Sequence, residues 1–249
     1  MTAADLRAML VADHITHVPG VWDPASAALA VRAGHRAVHL SGPAISATLV
    51  PARGGVPLLA DADVGYDRPD HAVWTALAYQ RAGISGICLD DGDDADRSAA
   101  RITALAGQAP GVALIARVRG RGLDETIERC RAYAAAGADA VLPVDIREAD
   151  DLGPLRAALP AVPLVVSRSE AAPGRGRLTG AELAGLGVRL VLHPLAAVLA
   201  ALRAASLAYR AIAEEGDAER IDRMPPAVFR TLIDRPAATV ERGIDKIDT

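Results

Sequence analysis

The charged side chains best suited to chemistry close three short apolar runs of the sequence. Asp61 and Asp63 close PLLADAD, Asp90 closes GICLD, and Arg117 and Arg119 close ALIARVR. Clustered carboxylates repel one another unless a cation lies between them, and oxygen ligands without histidine or cysteine suit Mg²⁺ or Mn²⁺. An arginine at the same place would bind a substrate carboxylate through two parallel hydrogen bonds. The pattern therefore indicates an anionic substrate held beside a hard divalent cation.

Aspartate also has a structural role, because its carboxylate caps the first turn of a helix well. We assign that role to three aspartates that precede helical segments: Asp23, Asp67 and Asp94. Asp61 and Asp63 differ from these, because they lie within or at the end of an apolar strand. Residues two apart on a strand share a face, so both carboxylates are expected to point the same way and to bind the metal.

Other polar residues in apolar surroundings have structural interpretations. His39 and His193 lie in or at the end of predicted strands, where a histidine is usually a hydrogen-bonded core group. Cys88 and Cys130 form neither a disulfide scaffold nor a zinc motif and are expected to pack in the core. Arg121 is expected to form a surface salt bridge.

Eight short runs rich in Val, Ile, Leu and Ala predict strands that are covered on both faces. They are His17–Val21, Ala37–Gly42, Pro57–Asp63, Gly86–Asp91, Ala113–Val118, Ala140–Val144, Pro163–Ser167 and Arg189–His193. Segments with helical spacing lie between most of them and after the last: Asp23–Ala33, Pro69–Ala82, Asp94–Ala106, Leu123–Ala136, Arg147–Leu159, Thr179–Leu186 and Leu195–Glu215. Strands that alternate with helices predict a parallel sheet with right-handed crossovers.

Eight such units predict one (β/α)8 TIM barrel over residues 1–249, with a C-terminal helical tail over about 216–249. The segment from Gly42 to Pro57 contains further Gly and Pro residues, so the helix after strand two is expected to be shortened or missing. An open doubly wound sheet is the alternative, but no G-x-G-x-x-G loop supports it. In a barrel the strand C-terminal ends build the active site, and these ends carry the charged residues.

Composition excludes several classes of protein. The net charge of −4 and the pI of about 5.9 give no basic surface for nucleic acid. No apolar run approaches the roughly 20 residues that span a bilayer, and the N-terminus lacks the apolar segment of a signal peptide, so a cytoplasmic protein is expected. Lys246 is the single lysine among 27 basic residues, and its position near the C-terminus argues against Schiff-base chemistry.

Several motifs together resemble the isocitrate lyase/phosphoenolpyruvate mutase superfamily. They are VPGVWDPASA at 18–27, VHLSG at 38–42, LADADVGY at 59–66, LIAR at 114–117, AYAAAGADA at 132–140 and LHPL at 192–195. They occur in the order expected for that superfamily, and the branch they resemble most is that of the 2-methylisocitrate lyase-like and carboxyphosphonoenolpyruvate mutase-like proteins.

The resemblance implies a Mg²⁺-dependent lyase or mutase that makes or breaks C–C or P–C bonds in small 2-oxo or 2-hydroxy carboxylates through an enolate-like intermediate. It implies a metal site of Asp61, Asp63 and Asp90, with Asp90 acting through water. Arg117 would clamp the substrate, and Asp63 and Arg117 are the candidate catalytic residues. The other candidate substrate-binding residues are Trp22, Ser41, Gly42 and Ser169. It also implies a homodimer or homotetramer.

Two departures from the superfamily leave alternatives open. Its lyases carry a lid after strand four with a Lys-x-Cys-Gly-His-like segment, whereas here the residues from Asp91 to Arg97 run into a helix without Lys, Cys or His. Arg119 stands where the superfamily has an acidic residue. Cleavage of isocitrate or methylisocitrate is therefore not expected. Three hypotheses remain: an altered Mg²⁺-dependent enzyme, a non-catalytic barrel that binds an anionic small molecule, and a metal-free enzyme in which Arg119 and Arg168 supply the positive charge.

Overall fold

The protein is described from a computed structural model. The structure describes residues 2–21, 23, 27, 31, 35–40, 56–65, 68–92, 94–146, 148–168, 178–201, 203–204, 207, 219–225 and 227–228. The strands are β1 Thr16–Val21, β2 Val38–Leu40, β3 Leu58–Asp61, β4 Gly86–Asp90, β5 Ala113–Val118, β6 Ala140–Pro143, β7 Leu164–Ser167 and β8 Val188–His193. The helices are α1 Ala3–Leu10, α2 Pro69–Arg81, α3 Ala95–Gln108, α4 Leu123–Ala135, α5 Ala149–Ala158 and α6 Gly180–Gly185.

All eight strands pair in parallel and in sequence order, and the sheet closes on itself. The closing pair joins β1 to β8, with Thr16 opposite Leu190 and Val18 opposite Leu192. A register shift after Leu164 interrupts the pairing of β7 with β8. The predicted (β/α)8 barrel is therefore confirmed, and the open-sheet alternative is wrong.

Two layers of side chains fill the molecule, one inside the barrel and one between the sheet and the outer helices. Strand residues of the inner layer include Leu59, Cys88 and Ile115, each of which alternates along its strand with residues of the outer layer. Two positions after these three lie Asp61, Asp90 and Arg117. Because side chains alternate along a strand, these three charged residues also face the inside, at the C-terminal end of the barrel.

Helix α1 covers the opposite end of the barrel and is not among the elements predicted from the sequence. Leu6, Met9 and Leu10 are buried and belong to the inner cluster. A Cβ atom on Gly86 would collide with the Leu6 side chain, so the absence of a side chain at Gly86 makes room for this helix. Arg7 anchors the helix by donating from Nε to Asp139 Oδ1 at 2.7 Å.

Apart from α1, the boundaries of the described elements agree with the predictions to within two residues. The difference matters most in β3, which ends at Asp61, two residues before its predicted end. The helix predicted to be shortened or missing after β2 falls in 41–55, outside the described residues, as do most of the predicted tail and most of the predicted helix at 23–33. After β8 the described residues 196–201 are helical, which confirms the start of the last predicted helix.

None of the helices in the described part of the chain combines the length and hydrophobicity that crossing a lipid bilayer requires.

Replacing Leu6 by alanine is expected to destabilise the protein by about 2–5 kcal/mol, because Leu6 is fully buried and its loss leaves a cavity above Gly86. Urea denaturation followed by circular dichroism measures the change. Val11 follows the same helix and is 74% exposed, so Val11→Ala is the control and should leave the midpoint unchanged. Equal unfolding midpoints for the Leu6→Ala variant and the wild type would show that the packing of α1 against the end of the barrel does not stabilise the protein.

Candidate active site

Three inward-facing charged residues form the centre of the site. Arg117 Nη1 donates to Asp61 Oδ2 at 3.1 Å, and Arg117 Nη2 lies 3.5 Å from Asp90 Oδ2. Asp90 and Arg117 are also directly paired across β4 and β5. The side chains of Asp61 and Asp90 are only 9% and 13% exposed. The guanidinium of Arg117 therefore lies between these two carboxylates.

Arg119 adds a second guanidinium to Asp90. Its Nε lies 3.2 Å from both Asp90 oxygens, and its Nη2 lies 3.1 Å from Oδ2. These hydrogen bonds raise the pKa of the Arg119 guanidinium. Arg117 and Arg119 therefore share a face, as residues two apart in an extended chain do, and both contact the same carboxylate.

Asp63 lies in a turn beyond the end of β3. Its φ of +45° is in the left-handed region, which aspartate adopts more readily than most residues. Its backbone N–H donates to Asp61 Oδ1 at 3.1 Å. The prediction that the two carboxylates share a strand face is wrong, because the chain turns before Asp63. The exposed carboxylate of Asp63 has no hydrogen bond or ion pair to any other described residue.

The turn that carries Asp63 is attached to two neighbouring elements. Asp63 O accepts a hydrogen bond from Asp90 N–H at 2.6 Å, and Val64 O accepts one from Arg101 Nη1 on α3. Gly65 has φ +67° and approaches Leu89 so closely that a Cβ would lie 2.7 Å from Leu89 Cδ1. The position of Asp63 is thus set by the packing of this turn against β4 and α3.

Asp91 forms a buried network directly behind the two arginines. Its Oδ1 accepts from the Arg119 backbone N–H at 3.1 Å. Its Oδ2 accepts from Arg129 Nη1 at 2.9 Å and from Tyr133 Oη at 3.1 Å. Burial raises the pKa of the Asp91 carboxyl, and the hydrogen bonds from Arg129, Arg119 and Tyr133 oppose that rise. The network fixes the end of β5 to α4.

The buried histidine and the two buried cysteines are uncharged near neutral pH, because burial disfavours their charged forms. Burial lowers the pKa of His39 to about 4, so this residue is neutral there. Its Nδ1 has no hydrogen-bond partner among the described residues, so the predicted hydrogen-bonded state is not found at that atom. Cys88 and Cys130 are buried, as predicted, and burial raises the pKa of both thiols.

The remaining sequence predictions have mixed outcomes. Asp94 caps α3 as expected by accepting from Arg97 N–H at 3.0 Å. Arg121 forms the expected surface salt bridge, with Glu125 at 3.3 Å. The Nε2 atom of His193 lies 3.3 Å from Nδ1 of His17, and the two rings stack. Five predicted residues lie outside the described residues: Trp22, Ser41, Gly42, Asp67 and Ser169.

No three Asp, Glu, His or Cys side chains of the described residues come together as a set of metal ligands. A smaller set is compatible with Mg²⁺, which is usually bound through one or two carboxylates and several waters. Asp63 offers a carboxylate without an ion pair among the described residues, close in the chain to Asp61. Asp90 has both oxygens occupied by arginine. The donor chemistry thus fits a hydrated Mg²⁺ at Asp61 and Asp63 better than a site closed by three carboxylates.

A sequence profile of the phosphoenolpyruvate phosphomutase family matches residues 49–213. The chain belongs to this family. It is 30% identical to oxaloacetate decarboxylase of Chromohalobacter salexigens, over 80% of this chain and 81% of the relative. It is 27% identical to 2-methylisocitrate lyase of Bacillus subtilis, over 86% of this chain and 82% of the relative.

Solved structures of proteins from the same superfamily have the same fold as this chain. Oxaloacetate acetylhydrolase in complex with the product oxalate superposes with a TM-score of 0.84 at 25% identity, covering 92% of this chain and 93% of that one. The relatives of this phosphomutase-family chain are lyases, decarboxylases and mutases, so it is an enzyme of the carbon–carbon lyase or phosphonomutase kind.

The residues that hold the site of this family member in place were not among those predicted from the sequence. Arg101 on α3 contacts Val64 beyond the end of β3, and Arg129 and Tyr133 on α4 contact Asp91 beyond the end of β4; these contacts form only after folding. The spacing of Glu125, Arg129 and Tyr133 was a usable signal, because successive steps of four residues place all three on one helix face.

Proposed function

We propose that this protein is a Mg²⁺-assisted lyase that acts on a small 2-oxo or 2-hydroxy carboxylate, breaking a C–C or P–C bond through an enolate-like intermediate. The observation that carries the proposal is the inward-facing set of Arg117, Asp61 and Asp90 at the C-terminal mouth of a barrel of this family. Such a mouth is where (β/α)8 enzymes place their chemistry. The names of the relatives, oxaloacetate decarboxylase and 2-methylisocitrate lyase, point to the same class of substrate.

Asp63 and Asp61 would hold the Mg²⁺, and Asp90 would act on it only through water. When bound, the metal supplies a Lewis acid that stabilises negative charge on the substrate oxygen. Arg117 would bind the substrate carboxylate, because its planar fork matches a carboxylate bidentately. Asp61 and Asp90 orient that fork through their contacts with its two terminal nitrogens.

The remaining candidate residues Trp22, Ser41, Gly42 and Ser169 are proposed to complete the substrate pocket. We propose that the protein is cytoplasmic and that it assembles as a homodimer or homotetramer. These proposals rest on the resemblance of the motifs.

The proposed reaction differs from isocitrate or methylisocitrate cleavage, since the chain has no lid cysteine to act as the acid. Both cysteines are buried in the core, and the connection from β4 to α3 spans only residues 91–94. In a decarboxylase or hydrolase reaction on a 2-oxo acid, water could supply the proton that the enolate-like intermediate takes up, in place of such a cysteine.

A barrel that only binds an anionic small molecule is the second candidate. One observation favours it: the carboxylates of Asp61 and Asp90 are already neutralised by Arg117 and Arg119. Catalytic turnover of any 2-oxo acid would exclude it.

Calorimetric titration tests the proposed function. Pyruvate and oxalate are expected to bind saturably in the presence of Mg²⁺ and more weakly in EDTA. Propionate, which lacks the 2-oxo group of pyruvate, is the matched control and should bind less tightly. The proposal fails if neither Mg²⁺ nor the two acids give saturable binding. Full turnover of oxaloacetate in EDTA would instead favour the metal-free hypothesis.

A further inference from the structure

Arg119 occupies a place in the mouth that the proposed reaction does not use. Its guanidinium is adjacent to that of Arg117, because Arg119 and Arg117 both contact Asp90 Oδ2, at 3.1 and 3.5 Å respectively. The side chain of Arg119 is 49% exposed, whereas that of Arg117 is 26% exposed. Two guanidinium groups therefore lie side by side at different depths, with the outer one open to incoming ligand.

Both ends of Arg119 are held in place. Its backbone N–H donates to buried Asp91, which is itself bound by Arg129. The side edge of its guanidinium, Nε and Nη2, binds Asp90. An arginine that is positioned before binding loses less conformational freedom when it binds an anion.

The outer edge of the Arg119 guanidinium remains available. Nη1 has no acceptor among the described residues, so Nη1 and Nη2 together can still receive a carboxylate or phosphonate in a bidentate manner. An ion pair with one half-exposed partner contributes little to stability, so structural stabilisation alone is a weak explanation for this geometry.

We propose that Arg119 is a specificity-determining residue that binds a second anionic group of the substrate. The inference rests on the proposed function, since Arg117 is taken to bind the first carboxylate. Arg119 would then contact the second carboxylate or the phosphonate of a 2-oxo or 2-hydroxy acid, and a monocarboxylate such as pyruvate would bind without this contact.

Two matched pairs of ligands test this inference on the full-length protein in Mg²⁺ buffer. Lactate and malate differ by one carboxylate, and pyruvate and phosphonopyruvate differ by one phosphonate. The wild type is expected to bind the doubly anionic member of at least one pair more tightly, by about tenfold or more, because a charge-assisted bidentate contact is added. The pair with the larger difference identifies the second group.

Arg119→Gln is expected to remove that preference, raising the Kd of the doubly anionic acid about tenfold or more while changing that of its partner by less than about twofold. Arg121→Gln, two residues along and on the surface, is the control and should retain the preference. Arg119→Lys keeps the positive charge but loses the planar guanidinium, so an intermediate preference for the doubly anionic acid is expected. If the Arg119→Gln variant does not fold, the Arg119→Lys variant tests the inference in its place.

The proposed role of Arg119 would be refuted if the wild type bound both members of each pair with equal affinity. It would also be refuted if Arg119→Gln lost the same factor in affinity for both members of a pair. Failure of all four acids to bind would instead refute the proposed function, and the inference with it. The two failures are therefore distinguishable.

Discussion

Replacing Arg129 by methionine is expected to destabilise the protein by about 3–5 kcal/mol, because the change leaves the buried Asp91 carboxylate without its charged partner. Asp91 is 2% exposed, and Arg129 contacts it at 2.9 Å. Tyr133 and the Arg119 backbone N–H remain as donors, but neither carries a charge. Methionine keeps most of the buried volume, so the loss is mainly electrostatic.

The loss of stability in the Arg129→Met variant is expected to depend on pH. Burial already raises the pKa of Asp91, and removing Arg129 removes an interaction that opposes the rise. A carboxyl whose folded pKa is raised binds more protons in the folded state, so stability falls as pH rises through that pKa. The difference in free energy of unfolding between the variant and the wild type should therefore become smaller as the pH is lowered toward the ordinary pKa range of aspartate.

Urea denaturation at several pH values measures this effect. Arg131 lies two residues along the same helix and is exposed, so Arg131→Met is the matched control and should leave the midpoint in place. Adding Asp91→Asn to Arg129→Met should recover part of the lost stability, because the buried charge is removed. An Arg129→Met variant as stable as the wild type at neutral pH would show that Asp91 is not a charged anchor.

The barrel was predictable because its strands are buried on both faces, which leaves uninterrupted aliphatic runs. Helix α1 was not predicted, because its apolar residues Leu6, Met9 and Leu10 form too short a pattern to reveal a buried helix on their own. Its burial depends on Gly86 in β4, and a contact between residues so distant in the chain is set by the closed barrel.

The charged cluster at the barrel mouth was predictable in composition but not in pairing. The sequence places Asp61, Asp90 and Arg117 at strand ends, and the alternation of side chains directs all three inward. The contact of Arg117 with these carboxylates depends on strand register, which places Asp90 opposite Arg117. The left-handed backbone of Asp63 depends on the packing of its turn against β4 and α3, which no local pattern indicated.

Replacing Asp63 by asparagine is expected to lower turnover on the order of 100-fold or more, because the residue proposed to hold the Lewis-acid metal loses its charge. The fold should be unaffected. Asparagine tolerates the left-handed φ of +45°, and the Asp63 carboxylate has no ion pair among the described residues to lose.

The rate of oxaloacetate turnover measures the expected loss of activity, and calorimetric titration of Mg²⁺ measures the expected loss of metal binding. Asp94→Asn is the matched control, because Asp94 lies at the same end of the barrel and asparagine caps a helix as well as aspartate does. We expect that control to keep both turnover and Mg²⁺ affinity. If Asp63→Asn bound Mg²⁺ as tightly as the wild type, the metal would have to be held elsewhere, and the inward-facing pair of Asp61 and Arg117 would then carry the chemistry without Asp63.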